Sequence, residues 1–152
     1  MSDATAGPVH RLEVRVYYED TDAAGIVYYA NYLKFAERGR TEMMRNFGFA
    51  HSQVAADTGI RFAVRRVSAD YQVPARLDDR IVIETRLLEL GAATLRLDQR
   101  VCRDGIILAA LDLLIACIGE DGRPRRLPVG LRAALSKQLQ ASVAPSIVQK
   151  TP

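Results

Sequence analysis

Three carboxylates, Glu19, Asp20 and Asp22, sit close together and are followed by small residues and Gly25. They stand at the end of an apparent strand, with a strongly periodic helical stretch after them. The run from Tyr17 to Arg45, YYEDTDAAGIVYYANYLKFAERGRTEMMR, can therefore aim an acid and a helix N-terminus at one point. The first turn of a helix leaves backbone N–H groups unpaired at the positive end of its dipole, which stabilises an anionic transition state. A carboxylate beside it can act as a general base or a nucleophile. Acyl transfer needs both. The same residues also suit a solvated acidic turn that only caps a helix. Asp22 is the carboxylate nearest Gly25, and glycine permits a tight turn through which a carbonyl reaches the helix entrance.

A strand must deliver these residues and a helix must receive them. From Arg11 the chain alternates, with Leu12, Val14 and Val16 on one face and Arg11, Glu13 and Arg15 on the other, as a strand with one buried face does. The helix is predicted to begin near Tyr29 to Asn31 and to stop at Gly48. Tyr32, Ala36, Gly39, Met43 and Phe47 form its apolar stripe, with Leu33 and Phe35 beside it. Glycine inside a helix costs about 1 kcal/mol relative to alanine, so Gly39 predicts close approach of another backbone. Glu37, Arg38, Glu42 and Arg45 mark the exposed side, and the pairs Glu37/Arg40 and Glu42/Arg45 have supportive spacing. A linker or short helix follows from Phe49 to Thr58. His51 and Ser52 are neighbours there, which is not a catalytic arrangement, and His10 lies outside the motif.

After Gly59 the chain reads as strands at about Ile60 to Tyr71, Arg80 to Leu90, Thr94 to Arg103 and Ile106 to Ile118. Short separators, above all Asp104-Gly105, predict an antiparallel meander. The last strand is apolar on both sides apart from Asp112, so both its faces should be covered: one by the helix, the other by a second subunit or the C-terminal segment. Asp112 fits either a functional role or an edge position with solvent access. Leu131, Leu135 and Leu139 mark a short terminal helix. Residues 1–9 and 141–152 are expected to be disordered around a single domain, 10–140.

With 152 residues, 49% hydrophobic and 26% charged, the chain is long enough for one real core. Its net charge of +3 is mild, and the basic residues are mostly arginine, which suits a phosphorylated ligand. No basic stripe interleaved with aromatics points to nucleic acid. No apolar run could span a membrane and the N-terminus lacks a signal-peptide core, so a cytoplasmic protein without membrane insertion is expected. Cys102 and Cys117 show no metal-ligand spacing, and the turn at Asp104-Gly105 would hold them roughly 33 Å apart, too far for a disulfide. No residue cluster calls for a metal or another cofactor.

The pattern V-Y-Y-E-D-T-D-A-x-G-x-V-Y-x-A-x-Y from Val16 to Tyr32, continuing as E-R-x-R-T-E-M from Glu37 to Met43, resembles the 4-hydroxybenzoyl-CoA thioesterase family of hotdog-fold acyl-CoA thioesterases. It is closest to the branch associated with the Tol-Pal envelope system. The pieces VPARLDD and RPRRLP extend the resemblance to roughly residues 12–140. It implies an α+β hotdog fold, a long central helix wrapped by an antiparallel sheet of about five strands, assembled edge to edge as a homodimer or homotetramer with active sites between subunits. It also implies an acyl-CoA or acyl-pantetheine substrate, Asp22 as the catalytic carboxylate, and the backbone N–H of Tyr29 as the group that polarises the thioester carbonyl. Gly25, Val27 and Asn31 are the substrate-binding positions. Many relatives carry histidine where this chain has Tyr29; the backbone role survives, but a phenol is a poor base at neutral pH. Gly91-Ala92-Ala93 replaces a basic cluster that contacts coenzyme A in the benzoyl-CoA branch.

Thioester hydrolysis is the leading reading. A hydratase or dehydratase usually pairs an acid with a histidine, and neither histidine lies at the helix entrance. A non-catalytic acyl-thioester sensor or envelope-machinery adaptor would have no need of the acid, which is present as Asp22.

Overall fold

The alternating start and the apolar runs after Gly59 form one antiparallel sheet, and the periodic stretch between them is the helix it wraps. The structure, a computed structural model, describes residues 8–149, with side chains as far as residue 139. The elements are β1 (His10–Arg15), a 3-10 turn (Tyr18–Asp20), α1 (Asn31–Asn46), α2 (His51–Thr58), β2 (Arg61–Tyr71), β3 (Arg80–Leu90), β4 (Thr94–Arg103), β5 (Ile106–Ile118) and α3 (Val129–Gln149). Asp104 and Gly105 both have positive φ, 52° and 80°, as a two-residue hairpin turn requires, and Cys102 faces Ile107 across it. Both cysteines are free and buried.

The order across the sheet is β1-β3-β4-β5-β2. Only β3, β4 and β5 form the expected meander. β2 lies beyond β5, at the edge opposite β1, because residues 72–79 carry the chain across the end of the sheet instead of turning back as a hairpin. The N–H groups of Gln72 and Val73 donate to Leu108 O at 2.8 and 3.1 Å, Arg103 pairs with Asp79 at 2.6 Å, and Val16 N–H donates to Asp79 O at 2.9 Å. This crossing brings the end of β2 to the N-terminus of α1.

α1 buries Tyr32, Phe35, Ala36, Gly39, Met43 and Met44 against the inner face of the sheet. Leu33, expected beside this stripe, is 39% exposed. It shares a flank of the helix with Met44, but α2 covers that flank only near Met44. Glu42 and Arg45 pair at 3.1 Å, whereas Glu37 accepts a hydrogen bond from Thr41 and Arg40 turns inward to Gln99. A Cβ on Gly39 would lie 2.6 Å from Ile83 Cγ2 and 3.2 Å from Gln99 Nε2. The close neighbours are side chains, not the backbone that a mid-helix glycine suggested. Gln99 is fully buried and donates to Ala36 O at 2.8 Å and Thr85 Oγ1 at 2.9 Å, which ties α1 to β3 and β4.

The outer face of the sheet is not covered by the C-terminal segment, because Leu131 and Leu135 of α3 enter the same core as α1. Cross-strand ion pairs line it instead: Arg86 with Asp98 at 3.4 Å, Arg11 with Glu84 at 3.2 Å, and Arg96 with both Asp112 at 2.9 Å and Glu89 at 2.8 Å. Asp112 therefore sits on the solvent side of an interior strand, and its hydrogen bond from Arg96 holds its carboxyl below the usual range. α3 runs Val129–Gln149, past Leu139. The expectation for residues 1–7 and 150–152 lies outside the described residues.

Gly39→Ala sets a helix-propensity gain of about 1 kcal/mol against an overpacking cost of about 1–3 kcal/mol, because Ile83 is β-branched and fully buried. A thermal scan should show a lower Tm for the variant. A Tm at or above that of the parent would contradict this packing.

Candidate active site

The chain leaves β1 at Val16, which is fully buried, and turns at once. Asp20 closes the 3-10 turn: its N–H donates to Tyr17 O at 3.0 Å and its carboxylate accepts Tyr17 N–H at 2.8 Å. Thr21 and Val27 then form an antiparallel bridge around a tight loop, inside which Asp22 N–H donates to Ile26 O at 2.9 Å and Gly25 N–H to Asp22 O at 3.0 Å. Gly25 has φ +78°, and a Cβ there would meet nothing within 4 Å. Glycine is needed here for its backbone conformation, and the space in front of the loop is open.

Asp22 is exposed at the head of this loop. One carboxylate oxygen accepts Ala24 N–H at 2.8 Å; the other has no partner among the described residues. The acid is thus held in place by one oxygen and left free at the other.

The receiving helix is unusual at its start. Ala30 occupies the cap position, with no side-chain hydrogen bond onto the first turn. The N–H groups of Asn31, Tyr32 and Leu33 bond back to Tyr28, Tyr29 and Ala30 carbonyls at 2.8, 3.3 and 3.2 Å. Tyr28 N–H donates to Asp20 O at 3.1 Å and Val27 N–H to Ala75 O at 2.8 Å. That leaves the N–H groups of Tyr29 and Ala30 without an acceptor among the described residues. They are the donors available to a substrate oxygen.

Of the five positions singled out in the sequence, Asp22, Gly25 and Tyr29 are exposed, with Tyr29 60% exposed. Val27 and Asn31 are engaged within the fold. Val27 is 3% exposed with its N–H already bonded, and the side-chain amide of Asn31 donates to Asp20 O at 2.8 Å. Two contributors escaped the sequence reading. Tyr71, at the end of β2, has its ring centroid 6.1 Å from that of Tyr29 and 5.3 Å from that of Tyr32. Ala75, fully buried, donates its N–H to the Tyr32 hydroxyl at 3.0 Å. Both belong to the end-of-sheet crossing, and only the VPARLDD piece hinted at that segment. Burial pushes the Tyr32 and Tyr71 phenols above their usual range.

A small cavity of about 20 Å³, lined by Arg40, Met43, Met44, His51 and Phe62 among others, lies toward the other end of α1. Arg40 is nine residues beyond Asn31, roughly 14 Å along the axis, so the cavity is remote from Asp22. His51 stacks on Phe62 with centroids 5.5 Å apart, and burial lowers its pKa. It stands apart from the acid loop. Among the described residues no group of His, Cys, Asp and Glu could hold a metal ion.

Residues 24–110, from the loop behind Asp22 through α1 and into β5, match the thioesterase superfamily. The chain belongs to that family. It is 42% identical over 105 residues to the acyl-CoA thioesterase YbgC of Haemophilus influenzae, covering 69% of this chain and 77% of that one. It is 39% identical over 125 residues to the acyl-CoA thioester hydrolase YbgC of Escherichia coli, covering 81% and 92%. The crystal structure of a probable thioesterase from Bartonella henselae superposes with a TM-score of 0.76 at 37% identity, covering 80% of this chain and all of that one. The sheet wrapped on α1 is the hotdog fold that the motif implied.

The hydroxyl of Tyr32 has a structural task at this site. Tyr32→Phe strands the buried Ala75 N–H and should destabilise the protein by about 1–3 kcal/mol in urea unfolding. An unchanged midpoint and slope would show that this bond does not anchor the crossing.

Proposed function

We propose that the protein hydrolyses an acyl-CoA thioester, or the same bond on a related pantetheine carrier, at Asp22 and the entrance of α1. The observation that carries this reading is the pair of unpaired N–H groups, Tyr29 and Ala30, beside a loop that presents a half-free carboxylate. A thioester carbonyl oxygen placed against the Tyr29 N–H gains stabilisation as negative charge develops on it. The free oxygen of Asp22 then attacks the carbonyl carbon, expelling the thiolate and leaving an anhydride for water to cleave, or takes a proton from a water that attacks directly. Either route yields a free thiol and a carboxylic acid. The names of the Haemophilus and Escherichia relatives support acyl-CoA as the substrate class. We place the enzyme in the cytoplasm.

We further propose that it works as a homo-oligomer. β2 is an edge strand of 11 residues with no fully buried position, and among the described residues its only ladder partner is β5. Val64 and Tyr71, 45% and 43% exposed, lie along it, and Tyr71 touches the site. A second copy added at this edge would cover Tyr71 and enclose the open surface at Asp22.

Asp22→Asn should lower kcat for thiol release by about two to four orders of magnitude with little change in KM, because the carboxylate acts in the transition state. Glu19→Gln, an exposed neighbour on the approach turn, should stay within about tenfold of the parent, below the smallest general-base effect. A folded Asp22→Asn protein with parental kcat would remove Asp22 from the mechanism. Sedimentation at micromolar concentration should show a dimer or a tetramer; a stable monomer would refute the oligomer.

A further inference from the structure

Asn31 is the first residue of α1, one beyond the cap position held by Ala30. Its Nδ2 donates at 2.8 Å to the carbonyl of Asp20, which also accepts Tyr28 N–H at 3.1 Å, and α1 keeps no side-chain cap. Asp20 stands two residues before Asp22, and Asn31 two residues after Tyr29. The bond therefore closes a short ring of chain that holds both the acid and the free N–H groups.

Tyr28 N–H meets the same carbonyl from the backbone, and the Asn31 amide adds a second bond from the body of α1; the remaining ties in this ring act elsewhere. The Thr21–Val27 bridge and the bond from Asp22 N–H to Ile26 O are internal to the acid loop, and Val27 N–H fastens the loop to Ala75. Among the described residues, the Asn31 amide is the side-chain link between the body of α1 and the start of the acid loop.

We propose that Asn31 is a positioning residue: the bond from its side-chain amide to the Asp20 carbonyl fixes the Asp22 carboxylate relative to the Tyr29 N–H. Its donor is spent within the chain, so it acts through the loop and not on the substrate. This rests on the roles of Asp22 and Tyr29 given above.

Asn31→Ala tests it in two ways. Steady-state thiol release from an acyl-CoA should show kcat down by about 10- to 100-fold with KM within about threefold, as expected when a reacting group is misplaced. In an Asp22→Asn background the same substitution should cost less than about threefold, because the two act as one unit. A KM raised about tenfold at unchanged kcat would make Asn31 a substrate contact, and an equal kcat loss in both backgrounds would make its role merely structural; either overturns the proposal. Independently of activity, amide hydrogen exchange should quicken at Asp22 and Tyr28 while the strands keep their protection. Unchanged exchange at those two amides overturns the clamp. If the parent protein releases no thiol, the hydrolase reading fails and the exchange result alone decides whether Asn31 holds the loop. Should Asn31→Ala fail to fold, Asn31→Ser, whose hydroxyl is too short to reach the carbonyl, is read by the same criteria.

Discussion

The site depends on a helix whose first turn is left without a side-chain cap. An uncapped helix end frays unless the helix is held by something else. α1 is held by burial: Tyr32, Phe35, Ala36 and Met43 fill the inner face of the sheet, and Gln99 ties the Ala36 carbonyl to β3 and β4. Because tertiary packing holds the helix, its entrance need not be satisfied from within. The Tyr29 and Ala30 N–H groups, without an acceptor among the described residues, are thereby left for the role proposed above.

The acid is fixed by a different set of forces. Its loop is closed by backbone hydrogen bonds and by the positive φ of Gly25, and it is fastened to the end-of-sheet crossing through Val27 and Ala75. That crossing exists because β2 pairs with β5 and not with β3. The same strand order places Tyr71 beside Tyr29 and leaves β2 as a long open edge. One topological fact thus supplies the anchor of the acid loop, an aromatic wall of the site, and a surface suited to a second copy.

Much of this was legible in the sequence, and the remainder has a common cause. Strand alternation, the Asp104-Gly105 turn and the helix period are local signals, and β3, β4, β5 and α1 lie where those signals put them. Asp22 and Gly25 were legible because the loop needs a particular residue at each position. The place of β2 was not, since pairing between strands distant in sequence leaves no local mark. Gly39 signalled crowding correctly but could not say that Ile83 and Gln99 cause it. The apolar look of β5 suggested a second cover; the C-terminal segment does not supply it, and within this chain arginines and carboxylates of β3, β4 and β5 dress the outer face with ion pairs. The bond of Asn31 was not legible either, since its partner is a backbone carbonyl, which every residue carries and no sequence pattern reveals.

The central claim is that a substrate carbonyl is received by the N–H groups at the entrance of α1. A ketone analogue of an acyl-CoA, with a methylene between carbonyl and sulfur, keeps the oxygen and cannot be hydrolysed. Titrated into isotopically labelled protein and followed by amide 1H–15N spectra, it should move the Tyr29 amide proton strongly downfield, with Ala30 next, as a new hydrogen bond to oxygen requires. Saturable binding that leaves both amides unmoved and instead perturbs the residues around Arg40 and His51 would contradict the account.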